Sequence, residues 1–374
     1  MAKKSTKRAA KQAAKVAKKH PALTAFLILL ALVLLAGAAY YYYKKREREQ
    51  GPLLGTLQTG ELGVHFLELG NQYVGDCVFI QIGDTEIIVD GGSREDSAEA
   101  IEAYVDQYCK DGVVEYAIVT HAHQDHIAAF AGNSAHTSLF RRFEFETIID
   151  FPKTNSTSAV YGRYVAERDA EIAAGAKHYT ALECYNNEGD AQRSYELAEN
   201  VTLNILYHEY YEKKASEENN YSVCFYIQQG DYNYLFTGDL EKEGEESLVK
   251  SNDLPRCKLY KGGHHGSSTS SNDVLLSAIQ PEYVCICTCA GSTEYTKEPL
   301  STFPTQTAIN RLARYTEKIF VTSRADDSAR GYTSMNGDIF VKSNGIDFTV
   351  TGSNNSTVLK DSEWFKNNRT WPSS

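Results

Sequence analysis

The stretch Thr120-His121-Ala122-His123-Gln124-Asp125-His126 gathers three of the chain's ten histidines and a carboxylate within six consecutive residues. It follows VVEYAIV (Val113 to Val119), a β-branched run that reads as a buried strand, so the cluster sits where a strand ends. On extended backbone the i, i+2 step sends His121 and His123 to the same side. Asp125 and His126 come after the chain turns and are placed to face a second cation. Neutral imidazoles beside a carboxylate suit zinc and similar borderline metals. A lone loop histidine is ordinarily just a solvated side chain, but four ligand-type residues at this spacing call for a metal. Any fold for the chain must therefore bring a strand end to a place where other elements can complete a metal site.

Charge divides the chain. Residues 1–50 carry twelve Lys/Arg against two Glu, whereas the remainder carries 26 Lys/Arg against 47 Asp/Glu, a net of −21. Between these regimes the uncharged run Ala22 to Tyr43 is long enough to span hydrocarbon as a helix. The basic stretch before it outweighs KKRERE after it, so the positive-inside rule orients the N-terminus to the cytoplasm. Tyr40 to Tyr43 fit an interfacial belt, and no small-residue cleavage site follows. The expected organisation is a basic cytoplasmic tail (1–21), a transmembrane anchor (22–43), a Gly-containing linker (44–60), the main domain (61–350) outside the cell membrane and a polar, loosely held tail (351–374).

The main domain alternates strand-like and helix-like stretches. ELGVHFLEL, CVFIQIG and TEIIVDGG lead through a helical segment (DSAEAIEAYVDQYCKDG) to YAIVT and the histidine cluster, with ETIIDF beyond. Residues 153–200 are polar, Tyr-rich and partly helical. A second series runs from VTLNILYH through YSVCFYIQQG, YNYLFTGDL, CKLYKGG and YVCICTC to KIFVTS and GDIFVKSNGIDFTV, with helices around 272–279 and 305–316. Two similar strand-rich halves with helices predict two sheets packed face to face and covered by helices outside. Most cysteines sit inside apolar runs, which points to free buried thiols rather than disulfides.

Further chemistry-bearing residues recur at strand ends: Asp90 closes IIVDGG, Asp239 closes LFTGD, and KGGHHGSS places His264 and His265 in a small-residue loop. With these residues in place, the sequence resembles the metallo-β-lactamase superfamily, and within it the hydrolase domain of the competence protein ComEC family. HAHQDH is similar to the superfamily's H-x-H-x-D-H motif, LFTGD to its bridging-aspartate motif, and GGHHGSSTSS to the HHGS motif of the ComEC-like branch. The resemblance runs from about Leu62 to Val350. It implies an α+β, four-layer αβ/βα sandwich holding two divalent ions, Zn or Mn.

By position, the resemblance implies His121 and His123 on one metal, Asp125 and His126 on the other, and Asp239 bridging. It implies that His264 or His265 completes the second metal, with His264 favoured, and that Asp90 orients the metal loop without binding. Two departures stand out. Where the superfamily places a further metal-binding histidine, this chain has Glu218, Asn219 and Asn220, and the nearest histidine is His208, so the resemblance leaves the first metal held more weakly, or by Asn219 or a His208 that reaches in. The family's His-Pro after the Cys-rich strand is here Phe303-Pro304. Ser267 and Ser268 are placed to meet a phosphate oxygen or to cap their own loop.

The function the resemblance implies is a membrane-anchored, extracellular metal-dependent hydrolase. A phosphodiesterase or nuclease related to DNA uptake, using a metal-bridged hydroxide with Asp125 and Asp239 as catalytic carboxylates, leads. A carbonyl-ester, lactone or lactam hydrolase and a non-catalytic binding module are the alternatives. The balance of −21 in residues 51–374 argues against broad nonspecific nucleic-acid affinity, which rests on Lys/Arg neutralising phosphates. A smaller phosphoester, or DNA handed over by a partner, fits that charge. The tyrosines between Tyr161 and Tyr211 are placed to stack bases or to serve as scattered structural aromatics.

Overall fold

In the computed structural model, which describes residues 54–373, the strands pair into two eight-stranded mixed sheets. The first sheet takes β1 (Leu62–Phe66), β2 (Asp76–Ile82), β3 (Thr85–Gly92), β4 (Val113–Ile118), β5 (Glu144–Asp150) and β6 (Lys177–Thr180). The second takes β7 (Ser194–Ala198), β8 (Val201–Ile205), β9 (Phe225–Gln229), β10 (Tyr232–Phe236), β11 (Leu259–Lys261), β12 (Tyr283–Ala290), β13 (Ile319–Ala325) and β14 (Tyr332–Ser334). The last hairpin, β15 (Ile339–Ser343) and β16 (Phe348–Gly352), returns to the first sheet, where β15 pairs antiparallel with β1 in the register Leu62↔Ser343 to Phe66↔Ile339.

Helices α1 (Ser97–Val105), α2 (Gln124–Ala131) and α3 (Ala159–Ala174) belong to the first half of the chain, together with the short α4 (Ala181–Asn186). Helices α5 (Lys242–Ser251), α6 (Asp273–Ile279) and α7 (Gln306–Leu312) belong to the second. The apolar pattern explains the layering. β12, flanked on both sides by parallel strands, reads YVCICTCA and is buried almost throughout, as a strand covered on both faces must be. Its alternate residues serve different layers: Cys285 and Cys287 join the main core with Phe225, Phe236 and Leu259, while Val284 and Ile286 pack with Leu275, Leu276, Ile309 and Leu312 of α6 and α7. All eight cysteines are buried and unpaired.

Position of the site follows from strand direction. β3, β4 and β5 run parallel to one another in the first sheet, and β10 to β13 run parallel in the second. Their carboxyl ends deliver Asp90, the histidine loop, Asp239 and the His264-His265 loop, in keeping with the rule that sites form beyond the carboxyl ends of parallel strands.

Three expectations are corrected. The spanning helix expected over 22–43 lies outside the described residues, and among the described residues no helix is long and apolar enough to cross a membrane. The longest, α3, has 16 residues and carries Arg163, Glu167, Arg168, Asp169 and Glu171, where about 20 mostly apolar residues are needed. Among the described residues the fold class is accordingly a two-sheet sandwich without a spanning helix, and the single-pass membrane location with an extracellular domain is withdrawn. The hairpin GDIFVKSNGIDFTV belongs to the first sheet, not the second. The expected loose tail is docked instead: α8 (Glu363–Asn368) buries Trp364 and Phe365, and the Arg369 guanidinium donates to the backbone oxygens of Thr302 and Pro304.

Candidate metal centre

Asp90 lies two residues before the end of β3 with a left-handed φ of 60°. Its carboxylate accepts from the Thr120 backbone N–H at 2.7 Å and the Thr120 hydroxyl at 2.9 Å, and its Oδ2 lies 2.8 Å from His126 Nδ1. One aspartate therefore clamps the whole loop between β4 and α2. Helix α2 opens at Gln124, so Asp125 and His126 sit in its first turn, where a negative charge suits the helix dipole, while His121 and His123 precede it.

Asp239 enters from the second sheet just after Gly238, whose φ of +53° and close neighbours Ser222 Oγ and Thr120 Cβ leave no room for a side chain. Its backbone N–H donates to Ser222 Oγ at 3.1 Å. Its Oδ2 stands 3.1 Å from His126 Nε2, 3.2 Å from His265 Nε2 and 3.7 Å from His264 Nε2. His265 Nε2 is 3.5 Å from Asp125 Oδ2, and His121 Nε2 is 3.1 Å from His123 Nδ1. His264 and His265 both hold left-handed φ values, 46° and 54°, a cost of roughly 1–3 kcal/mol each that persists where a site is over-determined.

The buried charges sort themselves. Burial favours neutral imidazole, but Asp239 and Asp90 outweigh it and hold His126 well above its ordinary pKa; Asp239 and Asp76 do the same for His265. His121 moves the other way, driven well below its usual value by burial and by the neighbouring His126 and His123. Burial would raise Asp125 and Asp239, yet His265 and His126 keep both carboxyls below the usual range. Ionised carboxylates thus surround imidazoles carrying the positive charge that a divalent cation would replace by displacing their protons.

The donor set fits a metal. Asp239 Oδ1 and His265 Nε2 are buried without a hydrogen-bond partner, and ligand atoms of Asp76, His126, Asp239 and His265 lie within 4.8 Å of one another. Mixed nitrogen and carboxylate donors of this kind suit zinc or manganese.

The sequence-predicted residues fall into two groups. His121, His123, Asp125, His126 and Asp239 converge, and Asp90 lies behind His126. Of the histidine pair, His265 faces Asp125 and Asp239, whereas His264 turns Nδ1 to Thr269 Oγ1 at 2.9 Å and stands farther from Asp239. His208 does not reach in: its Nε2 meets the Ser222 carbonyl at 2.9 Å and its ring packs on Tyr211. The side-chain amide of Asn219 donates to Glu241 at 3.0 Å, and its Oδ1 is buried without a partner. Ser267 accepts from the Thr269 N–H at 3.2 Å, capping its own loop, and Ser268 is exposed.

Three residues went unread in the sequence: Asp76, Lys261 and Tyr295. Tyr295 donates its phenol to Asp125 Oδ2 at 2.7 Å from a loop tied down by Glu294, which accepts from the Val74 N–H at 2.9 Å. A usable signal existed for the other two, since a charge embedded in an apolar strand run (VGDCVF, CKLYKGG) must be paired when buried.

Parts of the chain are similar in sequence to known proteins. Residues 70–137 match the model of the metallo-beta-lactamase superfamily. The Competence protein ComA of Neisseria gonorrhoeae is 42% identical over 73 residues, 19% of this chain and 11% of that protein. The ComE operon protein 3 of Bacillus subtilis (strain 168) is 24% identical over 172 residues, 45% of this chain and 19% of that protein. The aligned part is thus less than a fifth of either relative. Among solved structures, the metallo-beta-lactamase fold protein YhfI from Bacillus subtilis aligns over 70% of this chain and 95% of its own, with 10% identity and a TM-score of 0.40. The motifs, the family match over residues 70–137 and these partial relatives support a metallo-β-lactamase domain similar to that of the ComEC-like competence proteins.

Proposed function

We propose that this domain is a metal-dependent phosphodiesterase, a hydrolase whose centre is built on Asp125, His126, Asp239 and His265 with His121 and His123 alongside. The observation that carries the reading is the convergence of Asp239 Oδ2 with two imidazole Nε2 atoms at 3.1 and 3.2 Å, in a buried pocket where Asp239 Oδ1 has no partner. A divalent cation held by Asp125, His126, Asp239 and His265 would supply Lewis acidity and activate water as the nucleophile.

The protein's part is orientation and charge. Asp90 takes the Nδ1 side of His126 and thereby aims Nε2 inward. Asp239, reached from the second sheet, ties both halves of the sandwich to the reacting centre. Tyr295 steadies Asp125, and the Phe303 ring lies 5.7 Å from His264 and 5.8 Å from Tyr295, which supports a role for these aromatics beside the substrate. Relationship to competence proteins favours a phosphodiester, and the acidity of residues 51–374 favours a small one or a DNA strand delivered by a partner.

The test is turnover by the purified chain with Mn²⁺ or Zn²⁺ against bis(p-nitrophenyl) phosphate, single- and double-stranded DNA, a lactone and a lactam. Metal-dependent phosphodiester cleavage is expected. Cleavage confined to the lactone or lactam would move the assignment to carbonyl chemistry, and a metal-loaded chain inert toward all of them would leave a binding module.

A further inference from the structure

Lys261 closes β11 and is 2% exposed; Asp76 opens β2 and is 1% exposed. The ammonium is paired with Asp76 Oδ2 and reaches the Gly262 carbonyl at 3.3 Å, at the root of the His264-His265 loop. A lysine this deep beside a metal site is costly unless it has a partner and a purpose.

Asp76 belongs by distance to the group of ligand atoms around Asp239, and its oxygens make ion pairs without a hydrogen bond, so it could be read as another metal ligand. The orientation of the imidazoles argues otherwise. His265 turns Nε2 to Asp239 and Asp125, and turns Nδ1, on the other edge of the ring, to Asp76 Oδ1 at 3.2 Å and the Cys287 carbonyl at 3.1 Å. His126 repeats the arrangement, with Nε2 toward Asp239 and Nδ1 toward Asp90 at 2.8 Å, Asp76 lying 3.8 Å from the same Nδ1. A cation on the Nε2 side of both rings has Asp76 behind them.

We propose that Asp76 and Lys261 form a positioning pair: Asp76 fixes the ring of His265 with Nε2 free for the cation, and Lys261, by holding Asp76 Oδ2, keeps that carboxylate from turning in to become a ligand itself. The inference rests on the metal-centre reading and says which buried carboxylates bind and which only orient. Outer-shell carboxylates of this kind are worth about 10–100-fold in metal affinity.

The experiment is a Co²⁺ titration of the purified chain followed by visible absorption, whose bands weaken as coordination number rises, with melting curves of the metal-free proteins alongside. Asp76→Asn is expected to bind Co²⁺ about 10–100-fold more weakly with the wild-type band shape and intensity at saturation. Lys261→Met is expected to weaken the bands, as the freed Asp76 joins the cation, and the double variant Asp76→Asn/Lys261→Met should return to the Asp76→Asn spectrum. Removing one partner of a buried pair can prevent folding. If Lys261→Met does not fold, recovery of folding in the double variant supports the pairing, and failure to recover contradicts it. Loss of the wild-type band shape in Asp76→Asn would make Asp76 a ligand and overturn the proposal, as would a Lys261→Met spectrum identical to wild type. A wild type that binds no Co²⁺ would overturn the metal reading itself, a result distinguishable from either.

Discussion

His126 and His265 on one side of the centre, and His121 on the other, are all fully buried imidazoles, yet their surroundings differ. Behind His126 stands Asp90, and behind His265 stands Asp76. Behind His121, among the described residues, stand hydroxyls, Thr120 Oγ1 at 3.1 Å and Ser222 Oγ at 3.5 Å from its Nδ1. A carboxylate on the far ring nitrogen makes an imidazole more basic and fixes its direction; a hydroxyl does less. The His126/Asp239/His265 half is therefore organised before any metal arrives, while the His121/His123 half has two imidazoles, one of them on the exposed His123, and Asn219 and Asn220 in the window where the superfamily places a third. The difference predicts that a cation held by the first half would bind more tightly than one held by the second.

The largest effect should come from the carboxylate common to the centre. Asp239→Asn keeps the shape and removes the charge, so metal affinity and turnover should fall together, the rate by roughly a hundredfold or more, read from phosphodiester kinetics under saturating Mn²⁺. Unchanged turnover would break the comparison at its pivot.

Next in size, His265→Ala should strip the tighter metal position, whereas His264→Ala should leave it within about tenfold of wild type, in line with the modest cost of disturbing a residue outside the ligand set. Equilibrium dialysis of the two variants against Zn²⁺ separates them, and the opposite order would reassign the ligand. Asp90→Asn should weaken the same position by about 10–100-fold while leaving the ligands in place. That loss, absent when Ser222 is replaced by Ala behind His121, would sharpen the contrast between carboxylate-backed and hydroxyl-backed imidazoles.

A last effect, on stability and not on metal binding, concerns a buried histidine with no carboxylate and no metal role. His65 bonds the Tyr104 hydroxyl at 2.8 Å, stacks on Phe340, and burial lowers its pKa to about 3. Because the folded value lies below the unfolded 6.5, the ring contributes nothing to the pH dependence above pH 6.5. As pH falls through the window from 6.5 toward 3, the unfolded chain takes up a proton that the folded chain refuses, and stability drops. At pH 4.5 the loss is roughly 2–3 kcal/mol. Denaturant melts of wild type and His65→Phe at pH 7 and 4.5 should show this part of the slope vanish in the variant.

Much of this centre was legible because metal motifs are local: His121, His123, Asp125 and His126 come from one loop, and Asp90 and Asp239 each announce themselves by ending an apolar run. What stayed hidden depends on pairing between distant segments. Nothing near Asp76 says that it will meet Lys261, 185 positions later, and nothing in GDIFVKSNGIDFTV says that Val341 will pair with Val64. The choice between His264 and His265 is a matter of two left-handed backbone angles, which the Gly-rich context permits but does not order. The tail misled for another reason: its polarity is real, but Trp364 and Phe365 are enough to bury a short helix.

The central claim, a metal centre with one prepared half and one bare half, is tested most directly by calorimetric titration of Zn²⁺ into the metal-free chain. Two steps are predicted, the first at least tenfold tighter than the second, with His121→Ala/His123→Ala abolishing only the second. Two equivalent sites, or loss of the tight step in that double variant, would contradict the account.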